Sequence, residues 1–353
     1  MKICDRQIGE GQPTFIIAEL SANHNGDLDC AKRTIEAMAK AGADAVKLQT
    51  YTADTLTIDS DKEYFQINKG TVWDGLNLYK LYQEAYTPWE WHKELFDLAH
   101  SLGLICFSSP FDPTAVDLLE ELEVPVYKIA SFEITDIPLI EYIASKGKPV
   151  ILSTGISELK DIERAMKAFD RCSNKNIALL KCTSSYPAPF EEMNLKTIPD
   201  LAQRFGVISG LSDHSMGHEV AVAAVAMGAR IVEKHFILDR NLGGPDSGFS
   251  MEPAEFEDMV RCIRNVEKAL GTVQYELSEK SRQSRGFSRS LFIVEDVKAG
   301  DEISDKNVRS IRPGDGLAPR FLPKIVGRKF SSDFERGTPL SLKHFESSDL
   351  LES

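Results

Sequence analysis

Eight short apolar runs recur along the first 235 residues, each followed by a helix-length segment, and this alternation limits the folds open to the chain. The runs lie at 15–19, 45–49, 104–108, 126–129, 150–153, 178–181, 207–210 and 231–235. Helix-prone segments stand between them, among them 28–41, 88–102, 113–122, 137–146, 158–169, 195–205 and 217–227, and another at 253–270 follows the eighth run. Near-continuous apolar runs are what a parallel sheet covered on both faces requires. Eight strand-then-helix units predict an α/β fold, a (β/α)8 TIM barrel. An open doubly wound sheet is the competing topology, and it is disfavoured because no G-x-G-x-x-G opens the first unit.

The alternation is exhausted near Gly271. Residues 272–289 are charged and weakly patterned and read as a linker. Residues 290–353 carry short strand signals at 290–294, 297–300 and 308–312 and a Gly/Pro-rich stretch at 313–323, which predicts a small, mostly β module. Such a module lies near the lower limit of independent stability. The formal net charge is −13 and no Lys/Arg run occurs, which argues against nucleic acid and anionic membrane as partners. An anionic ligand would need its cations gathered in one place. The six cysteines form no C-x-x-C pair, the first ten residues do not read as a leader, and no apolar stretch has transmembrane length. Together these predict a cytoplasmic protein with reduced thiols.

Parallel barrels carry their chemistry at the C-terminal ends of the strands. Here every such end is polar: Glu19, then Lys47 and Gln49, then Ser109, then Lys128 with Ser131 and Glu133, then Ser153, then Ser184 and Tyr186, then Ser212 and His214, and last Glu233 and His235. A single polar strand end is usually just entering solvent, but eight in register are not explained that way. Lysines inside barrel strands need an anionic partner. Lys47 and Lys128, with the hydroxyls of Ser109, Ser131, Ser153 and Ser212, suit a ligand bearing phosphate and carboxylate. Lys234 points to the opposite side by strand parity. His214 and His235 end neighbouring strands and could share one divalent ion, although each could equally be a hydrogen-bonded core residue. Glu19 and Glu133 are candidate acid–base groups, with an equally plain alternative as acceptors for loop N–H groups.

Several stretches resemble the sialic acid synthase family: FIIAELSANHNGD at 15–27, GADAVKLQT at 42–50, YKIASFE at 127–133, LSTG at 152–155, LKCTSSYP at 180–187, GLSDH at 210–214, IVEKHF at 231–236 and GPD at 244–246. The tail, with SRSL at 288–291 and SIRPGDGL at 310–317, resembles the family's antifreeze-like (SAF) domain. The first loop, 18–23, and the stretches 50–54 and 86–92 are most similar to the pseudaminic branch. N-acetylneuraminate synthases carry an Asn where Ser184 stands.

The resemblance implies a catalytic barrel at 1–271 and a SAF domain at 290–353. It also implies condensation of phosphoenolpyruvate with an amino sugar and water, with loss of phosphate by C–O cleavage. For this branch the sugar is expected to be 2,4-diacetamido-2,4,6-trideoxy-L-altrose, with N-acetylneuraminate or legionaminate synthesis as the alternative. Lys47, Ser109, Lys128, Ser131, Ser153, Ser184, Ser212 and His214 would surround phosphoenolpyruvate. His214 and His235 would hold a divalent cation (Mn, Mg or Co). Gln49, Tyr186 and Asp246 would face the sugar, and Arg312 would reach it from the SAF domain of the other subunit in a domain-swapped homodimer. Two other readings compete: a Schiff-base lysine aldolase, and a non-catalytic sugar-acid-binding protein.

Overall fold

The computed structural model of the protein describes residues 1–68, 70 and 73–345. The chain divides into two compact units, Met1–Gly271 and one that begins at Thr272.

The first unit is the expected barrel. After a two-stranded antiparallel ribbon, β1 (Lys2–Ile3) and β2 (Arg6–Gln7), come eight parallel strands: β3 (Phe15–Glu19), β4 (Ala45–Thr50), β5 (Ile105–Pro110), β6 (Tyr127–Ile129), β7 (Val150–Ser153), β8 (Ile177–Cys182), β9 (Ile208–Asp213) and β10 (Ile231–His235). They pair in sequence order, and β10 returns to pair with β3, which closes the ring. Strand alternation sorts the side chains. Ile16, Val46, Cys106, Tyr127, Leu152, Leu179, Leu211 and Val232 face the helices, in the larger core. Phe15, Ile17, Phe107, Ile151, Leu180 and Ile231 face inward. The ribbon was not expected, and it has a clear use: fully buried Ile3 and Ile8 join that inner cluster and stopper the bottom of the barrel. The interior is therefore apolar at its base, and polar side chains begin one layer higher.

Several strand edges differ from the sequence reading. β5 runs to Pro110 rather than 108, and β9 to Asp213 rather than 210, because the ladder continues past the apolar residues: Thr50 pairs with Pro110 and Lys234 with Asp213. The connection after β4 holds two unexpected helices, Ala53–Leu56 and Leu78–Ala85; the second is capped by the Asn77 side chain, which accepts from the N–H groups of Tyr79 and Lys80.

In the second unit β11 (Ser290–Ile293) pairs antiparallel with β12 (Val308–Ile311) over a separate core that includes Leu291, Ile303, Ile325 and Leu340. The segment read as a linker contains a helix, Glu279–Arg285, started by the Ser278 cap. The expected strand at 297–300 is only a bridge between Val297 and Phe334. Residues 346–353 of the expected module lie outside the described residues. Among the described residues no helix is long and apolar enough to cross a membrane.

Candidate active site

The inward parity that places Phe15 and Ile17 in the core continues up each strand and brings Glu19, Lys47, Ser109, Lys128, Ser153, Cys182, Ser212, Glu233 and His235 to the mouth of the barrel. There they line one cavity of about 400 Å³, together with Gln49, Ser131, Glu133, Tyr186, His214 and Asp246. That is an ordinary size for a small-molecule site. Ser184 is the one residue expected from this chain's barrel that is not on its wall. Its hydroxyl lies just behind that wall, against Gly155 and 3.8 Å from Cys182 Sγ; Arg312, expected from the other subunit, is exposed in the second unit. Lys234 points outward as parity requires and is buried against Asp213 (2.7 Å). His24 shapes the first loop, with its Nδ1 accepting from Gly26 N–H at 3.0 Å.

Four buried charges form the floor. Glu233 Oε1 accepts from Lys47 Nζ (2.8 Å), Lys128 Nζ (2.9 Å) and Ser212 Oγ (2.9 Å), and Lys47 also pairs with Glu19 Oε2 at 2.7 Å. Gln49 donates to the other Glu19 oxygen at 2.8 Å. An unpaired buried charge costs several kcal/mol, so two cations and two anions in mutual contact are what makes this layer tolerable. Burial alone would raise both carboxyls, but the lysines outweigh it and hold Glu233 and Glu19 below the ordinary range. Burial is itself outweighed at Lys47, which Glu19 and Glu233 keep firmly protonated. At Lys128, with fewer partners, burial prevails and lowers the ammonium. Lys47 commits two of its three donors to carboxylates and Lys128 commits one, so N–H groups remain for a ligand.

Buried polar atoms with no hydrogen-bond partner concentrate on this cavity: Ser109 Oγ, Ser153 Oγ, Glu133 Oε2, Glu233 Oε2 and His235 Nδ1. Buried polar atoms are nearly always paired, so several orphans facing one space indicate a polar ligand. The backbone also comes close here. A Cβ on Gly155 would lie 2.8 Å from Ser131 Oγ and 3.0 Å from Cys182 Sγ, and Gly155 N–H donates to that serine at 2.9 Å. Burial pushes the Glu133 carboxyl up to about 7, which suits it to exchange protons near neutrality.

The two imidazoles are neighbours, with centroids 5.3 Å apart. His214 Nδ1 lies 3.1 Å from the Thr183 carbonyl, which can only accept, so Nδ1 carries a proton and, in the neutral ring, Nε2 keeps its lone pair. His235 presents Nε2 to Glu19 at 3.4 Å and Nδ1 to Asp246 at 3.8 Å. Tyr186 and Phe249 pack on these rings at 4.4 and 5.0 Å. Neighbouring imidazoles with an orphaned nitrogen and two carboxylates close by are a donor set that fits a divalent cation. A tighter three-donor group among the described residues, His218, Asp258 and Cys262, lies half-buried outside this cavity, with Asp258 already paired to Arg261.

Sequence reasoning missed three features. Glu233, noted only as a strand end, is the hub of the ionic floor. Cys182 faces the cavity, as its parity with Leu180 signals. The helix Leu78–Ala85 adds an apolar side, signalled by apolar residues at 78, 81, 82 and 85 after the Asn77 cap.

The model of the NeuB family matches residues 34–275, and that of the SAF domain matches 288–346. The chain is 47% identical to the pseudaminic acid synthase of Campylobacter jejuni over 94% of this chain and 96% of that one. It is 46% identical to the pseudaminic acid synthase of Helicobacter pylori over 96% and 99%. A crystal structure of N-acetylneuraminic acid synthetase from Leptospira borgpetersenii, in complex with citrate, superposes with a TM-score of 0.71 at 34% identity, covering 80% of this chain and 94% of that one.

Proposed function

The chain belongs to the NeuB family, and on that premise we propose that it condenses phosphoenolpyruvate with 2,4-diacetamido-2,4,6-trideoxy-L-altrose and water, releasing phosphate and pseudaminic acid. It is a phosphoenolpyruvate-dependent sugar acid synthase. The observation that carries the site assignment is the ionic floor, where Lys47 and Lys128 keep uncommitted donors beside the partnerless hydroxyls of Ser109 and Ser153. A three-carbon donor with a phosphate and a carboxylate meets both needs. The lysines offset its charge in a water-poor space, where such interactions are strongest. Ser131, oriented by the Gly155 N–H, and Ser212 complete the cradle, and Ser184 would join it from its place against Gly155.

Family membership carries a dependence on a divalent metal, and His214 and His235 would hold it. When bound, the ion supplies Lewis acidity toward the aldehyde oxygen of the open-chain sugar. Gln49, Tyr186 and Asp246 line the same space and would orient the acceptor. Carbon three of the donor attacks the aldehyde carbon, and water adds at carbon two. Glu133, poised near neutrality, takes that water's proton, with Glu19 as the alternative carrier. That proton returns to the alkoxide left by the aldehyde; the C2–O bond then breaks as the C2 hydroxyl becomes the ketone, and its proton departs with the phosphate on the lysines' side. Lys47 is unsuited to a Schiff base because two carboxylates hold it protonated, and borohydride trapping with the acceptor present tests Lys128.

Arg312, on the SAF unit, would complete the sugar site of the other subunit in a domain-swapped homodimer. The free state of all six cysteines supports a cytoplasmic setting.

The test is phosphate release with three acceptors: the L-altrose compound, the legionaminic precursor and N-acetylmannosamine, each with and without EDTA. The expected result is turnover with the first, abolished by EDTA. Preference for either other sugar replaces the pseudaminic assignment, and no release with any of them favours a binding protein.

A further inference from the structure

One side of the cavity is built from side chains that the condensation does not use. Leu56, from the short helix Ala53–Leu56, and Leu78, Leu81 and Tyr82, from the helix Leu78–Ala85, line it together with Tyr51 and Phe111. None of the six is charged, and their only polar side-chain atoms are two phenol oxygens. Tyr51 meets Phe111 at 5.2 Å and Tyr82 at 5.8 Å between centroids, both edge to face, so the wall is packed as one unit. It stands where barrel topology puts it. In the eight-membered ring β5, which leads into Phe111, lies four places from β9, which leads into His214. Phe111 and His214 therefore face each other across the mouth, and the rest of the wall, from the connection after β4, packs beside Phe111 through Tyr51.

An acceptor whose aldehyde meets the imidazoles must send its opposite end toward this wall. A terminal hydroxymethyl group there would give up water against aliphatic and aromatic carbon, whereas a terminal methyl would bury apolar area. We propose that this wall reads carbon six of the acceptor, favouring a 6-deoxy terminus over a 6-hydroxy one. The inference rests on the acylated deoxy-sugar reading given above, and it names the residues that enforce the missing oxygen.

The experiment compares kcat/KM for a 2,4-diacetamido-2,4,6-trideoxy acceptor and its 6-hydroxy counterpart. Apolar pockets reject an added hydroxyl only by about a hundredfold at most, so a preference of about ten- to a hundredfold for the deoxy sugar is expected. In Leu78→Gln, and separately in Leu56→Asn, that preference should shrink to about threefold or less, chiefly through KM. The melting temperature and calorimetric phosphoenolpyruvate binding of each variant identify those that remain folded. Equal use of the two sugars by the unaltered protein, or a preference that survives in both folded variants, overturns the proposal. Turnover of N-acetylmannosamine with neither diacetamido sugar accepted instead overturns the acceptor assignment itself.

Discussion

Glu233 holds two lysines and the Ser212 hydroxyl on one oxygen. Replacing it with Gln leaves Lys47 with Glu19 alone and Lys128 without a countercharge. Breaking a buried pair from one side costs about 3–5 kcal/mol, so Glu233→Gln should melt well below the parent protein. Inorganic phosphate should restore more of the loss than it adds to the parent, because an anion can replace the missing carboxylate. Thermal melts with and without phosphate check this, and equal phosphate shifts would contradict it. Glu133 gives a pH signature. Its folded carboxyl titrates near 7 against about 4.3 in an unfolded chain, so folding binds a proton. Its stabilising contribution is complete below the unfolded value and is lost as pH rises through about 7. Glu133→Gln should flatten that decline in denaturant midpoints between roughly pH 4 and 7 while slowing turnover by about a hundredfold or more. An unchanged decline would remove the assignment.

At the scale of elements, legibility followed side-chain chemistry. The eight barrel strands could be read because each is a short apolar run between amphipathic segments. Their edges could not, since β5 and β9 gain their last residues from pairing with neighbours that the sequence does not reveal. The polar strand ends pointed to Lys47, Lys128, His214 and His235, but who pairs with whom depends on ring closure, and Glu233 is a hub only because β10 returns beside β3. The ribbon β1–β2 was missed because each strand has two residues, too few for a period. Its value lies in Ile3 and Ile8. Ile8→Ala should cost about 2–4 kcal/mol in chemical denaturation, as for other fully buried isoleucines, with phosphoenolpyruvate affinity kept because the floor stands higher in the barrel. A cost below about 1 kcal/mol would mean that the stopper contributes little.

For the whole molecule, the proposed exchange of SAF units makes each site a joint product of two chains. His235→Ala and Arg312→Ala should then each be impaired alone, the first through the metal and the second through the sugar. Mixed after dissociation and reassociation, they should regain activity, approaching about a quarter of normal if pairing is random, because half the dimers carry one complete site. Absence of complementation, with mixed dimers demonstrated by mass, would place Arg312 in its own chain's site or outside any site.

The central claim is that this cavity holds phosphoenolpyruvate so that water takes carbon two and phosphate departs with the bridging oxygen. Phosphoenolpyruvate labelled with oxygen-18 at that bridge, incubated with the enzyme and the L-altrose acceptor, tests it by mass spectrometry. The account predicts the label in phosphate, none in the nine-carbon acid, and no product after EDTA. Label retained in the sugar acid, or undiminished product in EDTA, would contradict it.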